Sequence, residues 1–159
     1  MCMKKSAGIL LYQEEGDELR LMLVHPGGPF WKNKDVGAWS IPKGEFTDEE
    51  DPLAAAKREF QEETGMAIDG TFISLPPVKQ NSNKMIYAFA LEASFDTTVI
   101  NSNLFDIEWP PRSGKTLTIP EVDKAEWFPE NIARTKIIPG QVPLIDELKK
   151  VLELRQQKN

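Results

Sequence analysis

Three glutamates lie close together in the sequence at a spacing that could bind a cation. Glu59, Glu62 and Glu63 follow the pattern i, i+3, i+4, which on a helix places three carboxylates within an arc of about 100°. Like charges at this spacing destabilise a helix by a few tenths of a kcal/mol per pair. A hard divalent cation removes that repulsion, because Mg²⁺ prefers a few carboxylates together with substrate phosphate oxygens. The alternative for such a cluster is a solvated acidic face.

The net charge of the chain is concentrated around these glutamates. The 159 residues include 25 acidic and 19 basic side chains, so the formal net charge is −6. The segment from Glu45 to Glu63 contains eight acidic and two basic residues and carries all of this charge. An acidic chain binds nucleic-acid backbones and anionic membranes poorly, so we expect no DNA partner and no membrane association. With divalent cations bound, the same segment would attract a polyphosphate.

Rare residue types exclude several kinds of site. Cys2 is the only cysteine, which excludes an internal disulfide and a thiolate zinc site, and we predict no role for it. His25 is the only histidine, so a two-histidine metal site is excluded, and we expect it to stabilise its Gly/Pro loop. Apolar runs are too short for a signal peptide or a bilayer span, so we expect a cytoplasmic protein.

Local signals place the acidic cluster on a helix. Asp51 is a good N-cap, Pro52 suits the first helical position, and Gly65 is a good C-terminal stop. Between these limits, apolar residues recur at helical spacing and predict a buried stripe of Leu53, Ala56 and Phe60.

Strand patterns surround this helix. Residues 7–12 and 19–24 predict a hairpin, and residues 39–41 predict a short strand. Further strands are predicted at 71–78, 84–95, 107–109, 117–119 and 125–128. The tail from Pro143 predicts an amphipathic helix that packs on the sheet. The order of strands, helix, strands and helix indicates one α/β or α+β layered domain over residues 1–159.

One spaced pattern extends well beyond the three glutamates. It consists of Gly44, five residues, Glu50, seven residues and then the run REFQEETGM from Arg58 to Met66. This pattern resembles the Nudix box, G-x5-E-x7-R-E-U-x-E-E-x-G-U, at every fixed position. Phe60 replaces the usual aliphatic residue and is still apolar. The resemblance implies a Nudix-type α/β/α sandwich with a mixed central sheet.

The resemblance also implies an activity. Nudix enzymes cleave a nucleoside diphosphate linked to another group, using Mg²⁺ or Mn²⁺ and an activated water. Glu59 would be a candidate for the base that takes the proton from the water. Arg58 and Glu50 would pair and hold the loop on the helix. The metal ligands implied by position are the carbonyl of Gly44 and the carboxylates of Glu59, Glu62 and Glu63.

Further candidate residues lie outside the box. Many Nudix enzymes add a carboxylate from a loop shortly before a tryptophan, and Glu121 fits that position, with Asp123 and Glu126 as alternatives. Lys43 lies in a W-x-x-P-K-G segment similar to that of diadenosine-polyphosphate hydrolases and could neutralise substrate phosphate. The candidates for stacking on a base are Trp39 and Tyr87, together with Trp31 and Trp109, and core or rim packing is the competing role. Arg112 and Lys115 could form a mobile phosphate-binding loop, with a plain surface loop as the alternative.

These features predict Mg²⁺-dependent hydrolysis of a pyrophosphate bond in a small nucleotide, such as a nucleoside triphosphate or a dinucleoside polyphosphate. The alternative substrates are nucleotide sugars and the 5′ end of RNA. A non-catalytic nucleotide sensor is the alternative from another class of protein. The sequence leaves open whether the protein is a monomer or a homodimer.

Overall fold

A computed structural model describes residues 3–157 of the chain. Within these residues the strands are β1 (Lys4–Glu15), β2 (Glu18–Pro26), β3 (Lys43–Phe46), β4 (Ile73–Ser74), β5 (Val78–Asn81), β6 (Lys84–Glu92), β7 (Leu104–Glu108), β8 (Thr116–Pro120) and β9 (Val122–Pro129). The helices are α1 (Pro52–Thr64), α2 (Glu130–Lys136) and α3 (Val142–Gln157). Cys2 lies outside the described residues.

A mixed sheet forms the centre of the fold. Its strands follow the order β4-β6-β1-β2-β9, with β3 also paired to β1 and β5 also paired to β6. Strand β1 is parallel to β6 and antiparallel to β2 and β3. Strands β7 and β8 form a separate two-stranded hairpin. The predicted mixed central sheet is therefore confirmed.

Alternating side chains of β1 build one core on each face of this sheet. Ile9 and Leu11 belong to a buried cluster that includes Ala56 and Phe60 of α1. Leu10 faces the other way and belongs to a second cluster with residues of α3. Because one helix covers each face, the fold is the predicted α/β/α sandwich, and β1 supplies both cores through its period of two.

Helix α1 has the limits that its capping residues predict. The Asp51 carboxylate accepts a hydrogen bond from the Ala54 N–H at 3.0 Å, and Pro52 is the first helical residue. At the other end, Gly65 has a φ of 79° and its N–H donates to the Gln61 carbonyl at 2.8 Å. This left-handed conformation favours glycine, because a Cβ there would be strained.

Several predicted elements are different in the structure. The predicted strand at 71–78 is two short strands, β4 and β5, because Pro76 and Pro77 interrupt the pairing with β6. Residues 39–41 form only isolated bridges, at Trp39 and Ser40, and regular pairing begins at Lys43. Helix α2 was not predicted, since its N-cap residue, Pro129, makes no side-chain capping bond.

In the described range 3–157, none of the helices combines the length and the apolar character needed to cross a bilayer.

Candidate active site

Glu59 lies directly against the backbone of β3. It is 8% exposed, and a Cβ built on Gly44 would lie 2.0 Å from the Glu59 Cδ atom. Only a glycine therefore allows the carboxylate of α1 to approach the strand this closely. The start of β3 and the acidic face of α1, which were predicted to share a site, therefore lie together.

Arg58 connects the loop before α1 to the acidic face of the helix. Its Nε and Nη2 atoms donate to the two carboxylate oxygens of Glu50, each at 2.9 Å. Its Nη1 atom donates to Glu59 at 2.8 Å and to Glu62 at 3.3 Å. The predicted pairing of Arg58 and Glu50 is present as a two-point ion pair. The same guanidinium also compensates two of the predicted metal ligands.

Glu63 is held by a backbone amide of β3. The Lys43 N–H donates to both carboxylate oxygens of Glu63, at 3.2 and 3.4 Å. Burial raises the pKa of Glu63 to about 8, and the charges of Glu121 and Glu59 act in the same direction, while the Lys43 amide and ammonium oppose them. Glu63 is 8% exposed, so its carboxylate is costly to ionise unless a cation is nearby.

Glu121 joins the site from the junction of β8 and β9. Its N–H donates to the Asn103 carbonyl at 2.9 Å, and the Asn103 N–H donates to the Glu62 carbonyl of α1 at 2.7 Å. Asn103 therefore connects the last turn of the helix to Glu121 through the backbone. Burial raises the pKa of Glu121, and the charge of Glu62 raises it further.

The two alternatives to Glu121 have other surroundings. The carboxylate of Asp123 lies 2.9 Å from Nδ1 of His25. Glu126 is exposed on β9, opposite Leu23. Among the three acidic residues predicted for this position, Glu121 is the one that lines a cavity together with Glu63.

The carboxylates fit a hard divalent cation by their chemistry. Burial and the charge of Glu62 raise the pKa of Glu59, against the opposing contact with Arg58. Repelling, partly buried oxygen donors of this kind are what Mg²⁺ and Mn²⁺ compensate. Within residues 3–157, no three acidic, histidine or cysteine side chains converge closely enough to form a ready metal cluster. Arg58 instead contacts Glu59 and Glu62 in this arrangement.

Lys43 adds a half-buried positive charge beside these carboxylates. Burial lowers the pKa of its ammonium, and the charge of Lys84 lowers it further, while Glu63, Glu45 and Glu59 oppose this. In the described range, no carboxylate lies within 4.0 Å of the Lys43 ammonium. The ammonium group is thus available to an anion.

Three residues predicted to contact substrate lie elsewhere. Trp39 is 2% exposed, donates from Nε1 to Asp35 at 2.8 Å and packs edge-on against Phe128, so its ring is part of the core. Its predicted stacking role is replaced by a structural one. Tyr87 packs edge-on against Phe46 at 5.7 Å. Arg112 is exposed at the tip of the β7–β8 hairpin. Neither Tyr87 nor Arg112 lines the cavity of Glu63 and Glu121.

Among the alternative stacking residues, Trp31 lines that cavity. Its loop is fixed by His25, which is 2% exposed and lies between Asp123 and the Lys34 carbonyl, with an Nε2–O distance of 2.6 Å. His25 therefore links β9 to the segment that follows the Gly/Pro loop, and its role in stabilising that loop itself stays a prediction. Trp109 is half-buried in the hairpin turn.

Two positioning residues were not predicted. Asn103 acts only through its backbone, so its side-chain type carries no signal. Gln141 is fully buried, and its amide contacts the Ile41 N–H at 3.1 Å and the Ser40 hydroxyl at 2.9 Å, just before the box begins. The burial of Gln141 is decided by the tertiary structure, so its residue type alone carries no signal for this contact.

The fold is an α/β/α sandwich in which the acidic face of α1 lies against β3 and beside a cavity. A family model described as the NUDIX domain matches residues 3–148. The chain therefore belongs to the NUDIX family, whose members generally hydrolyse compounds linked to a nucleoside diphosphate.

Individual relatives agree with this assignment. The chain is 43% identical to Nudix hydrolase 25 of Arabidopsis thaliana over 53 residues, a match that spans 33% of this chain and about a quarter (27%) of that protein. The NUDIX domain of Shewanella oneidensis NrtR, solved with ADP ribose, is 17% identical with a TM-score of 0.64, covering 96% of this chain and 90% of that one. A C. elegans Ap4A hydrolase binary complex is 18% identical with a TM-score of 0.61, covering 95% and 98% of the two chains. The two structural likenesses show the fold.

Proposed function

We propose that this protein hydrolyses a pyrophosphate bond in a nucleoside polyphosphate, with Mg²⁺ or Mn²⁺ as cofactor. The observation that carries the proposal is the contact of Glu59 with the Gly44 backbone, beside the Lys43–Glu63 bond and the Arg58–Glu50 pair. All fixed positions of the box thus have a physical partner. A nucleotide-sensing domain that had lost catalysis would not need every one of these residues.

The proposal assigns a task to each group. Glu59, Glu62, Glu63 and Glu121 would hold the metal, with the Gly44 carbonyl as a further ligand. The bound metal would supply charge neutralisation on the phosphate oxygens and a more acidic water. The ammonium of Lys43 would neutralise part of the phosphate chain. Arg58 and Glu50 would keep the loop on the helix.

The proton of the attacking water needs an acceptor near the acidic face. Glu59 is suited to this task, because it is held between the Arg58 guanidinium and the Gly44 backbone, and its position is therefore fixed. Fixed carboxylates accept a proton without the cost of reorganisation. Catalysis would rest mainly on positioning and electrostatics.

The experiment is a panel of nucleotides with Mg²⁺, followed by phosphate or pyrophosphate release. The panel contains nucleoside triphosphates, dinucleoside polyphosphates, nucleotide sugars and a 5′-triphosphate RNA, so the products identify the bond that breaks. Glu62→Gln should lower kcat/KM on the best substrate by at least about 100-fold, because removal of one charge-stabilising group has an effect of this size. Glu126→Gln, an exposed carboxylate on β9, is the matched control and should retain full activity.

Two results would contradict parts of the proposal. Full activity of Glu62→Gln would remove the metal assignment. Tight nucleotide binding without turnover of any panel member would favour a nucleotide sensor. ADP ribose, the ligand of the NrtR domain with the same fold, is one compound to include in that binding measurement.

A further inference from the structure

A cavity of about 180 Å³ opens next to the acidic helix. Glu63, Glu121 and Lys43 contribute to its lining, so it is continuous with the site described above. The remaining lining residues come from the end of β2 and the loop that follows it, from the start of β9 and from the residues before α3. Ser40 is the polar residue among them, and its hydroxyl already donates to the Ile41 carbonyl at 2.7 Å and accepts from the Gln141 side-chain amide at 2.9 Å. The apolar walls are Val24, Pro26, Trp31, Ala38, Val122 and Ile138.

The amides of these walls have no free donor to offer to a ligand. The N–H groups of Val24, Ala38 and Ile138 donate to backbone carbonyls at 2.8 to 3.0 Å. The N–H of Trp31 donates to a carbonyl at 3.3 Å, and that of Val122 donates to a serine hydroxyl at 3.0 Å. Pro26 has no N–H. A flat ligand in this cavity is therefore contacted by apolar surface and not by backbone donors.

The ring of Trp31 is fixed before any ligand arrives. Phe30 packs against it with ring centroids 5.0 Å apart and nearly perpendicular planes, and the Lys34 ammonium lies 5.2 Å from its centroid. The carbonyl of Lys34 is bound in turn by His25 at 2.6 Å. An aromatic side chain that is already oriented stacks on a base at a low entropic cost.

On this basis we propose that the cavity binds one base of the nucleotide. The base would stack on Trp31 and be recognised by its shape instead of by hydrogen bonds. The inference rests on the proposed function, because the phosphate chain would then extend from the cavity to Lys43 and the acidic helix. A lining whose backbone amides and Ser40 hydroxyl already donate within the protein distinguishes poorly between bases of the same size. Purine triphosphates that differ only in their edge groups should therefore be accepted almost equally.

The first test compares substitutions of the same kind inside and outside the cavity. Trp31→Leu keeps an apolar side chain in the wall and removes the aromatic face. Phe105→Leu makes the same type of change on β7, at a side chain that is 43% exposed and outside the cavity. Trp31→Leu should lower kcat/KM for ATP by roughly 10- to 100-fold, as expected from the loss of one base–aromatic stack. Phe105→Leu and the conservative Trp31→Phe should stay within about fivefold of the parent.

The second test measures base recognition without phosphate chemistry. Adenosine binding is followed by calorimetry in the absence of metal, and the parent protein should bind it while Trp31→Leu should not. ATP, GTP and ITP should differ by less than about tenfold in kcat/KM. A preference above about 1,000-fold among these purines, or unchanged ATP turnover in Trp31→Leu, would overturn the inference.

The two proposals fail in distinguishable ways. If no nucleotide is turned over but adenosine still binds in a Trp31-dependent manner, the proposed hydrolysis is wrong and the base site stands. If ATP is hydrolysed and adenosine binds equally well to Trp31→Leu, the hydrolysis stands and the base site is wrong. Equal loss of ATP turnover and of thermal stability in Trp31→Leu, without loss in Trp31→Phe, counts against stacking and indicates a packing role.

Discussion

Replacing Gly44 by alanine tests the position of the Glu59 carboxylate, the proposed base, with little change in the stability of the fold. A Cβ at this position would lie 2.0 Å from Cδ and 2.1 Å from Oε2 of Glu59, whereas ordinary contacts begin near 3.4 Å. The carboxylate must therefore move by about 1.4 Å. The atoms that must move are the end of the Glu59 side chain and not backbone, so the methyl group displaces the carboxylate from Arg58 and Gly44 at a small cost in folding free energy.

The expected loss of activity follows from that displacement. A misplacement of about 1 Å in a catalytic group can cost roughly 100-fold in rate. Gly44→Ala should accordingly lower kcat/KM with Mg²⁺ by at least about 100-fold. Its free energy of unfolding should change by no more than about 1 kcal/mol, since glycine-to-alanine replacement in a compatible conformation also restricts the unfolded chain.

A second glycine provides the opposite control. Gly16, in the turn between β1 and β2, has a φ of 60° and no atom within 4 Å of a Cβ built on it. Gly16→Ala should lose about 1 kcal/mol of stability through backbone strain and keep its activity. Activity is measured as kcat/KM on the best nucleotide, and stability by urea unfolding monitored through tryptophan fluorescence. Parental kcat/KM in Gly44→Ala would refute the argument that Glu59 must approach this backbone.

Three further predictions use other parts of the site. Since the buried Glu63 carboxyl has a pKa raised from its ordinary 4.5 to about 8, its contribution to the stability of the metal-free protein should be complete below pH 4.5 and fall by a few kcal/mol as the pH rises to 8. Urea midpoints of the parent and of Glu63→Gln, measured in EDTA, check this, because the difference between the two proteins isolates this one group. Gly65→Ala should cost about 2 kcal/mol in a thermal melt, because φ is 79° and the Cβ would lie 2.6 Å from the Asn101 carbonyl oxygen; an unchanged Tm would contradict the contact. Lys43→Met should raise KM more than it lowers kcat in steady-state assays if its ammonium binds the phosphate chain, and the reverse pattern would place it elsewhere.

Sequence patterns predicted the parts of the structure whose causes are local. The limits of α1 follow from Asp51 and Gly65, because a capping carboxylate and a left-handed residue act on their immediate neighbours. The first hairpin follows from a polar turn between two apolar runs. Pairing of Arg58 with Glu50 followed only from the family resemblance, since the two residues are eight positions apart across a loop.

Other features depend on contacts that residue types do not encode. Trp39 has an aromatic ring that could stack on a base, but its indole is buried against Phe128 and hydrogen-bonded to Asp35. Only the tertiary structure decides between these two roles. Asn103 links α1 to Glu121 through its backbone, so any residue type could have made these bonds. The sequence therefore indicated which side chains could take part in chemistry, but it was a poorer guide to which of them contact one another in the folded protein.

The Arg58–Glu50 pair explains how an acidic helix can stay folded before a cation arrives. The guanidinium uses Nε and Nη2 for Glu50 and Nη1 for Glu59 and Glu62, so one side chain compensates three carboxylates. A lysine offers one compact charge and could not divide its contacts in this way. When Glu59 and Glu62 bind a cation, Arg58 can release both while Glu50 still holds two of its nitrogens. In the segment from Glu45 to Glu63, which carries the net charge of −6, one guanidinium thus reduces the repulsion among three carboxylates in the free protein, and two of them could pass to a metal while the loop before α1 stays bound through Glu50.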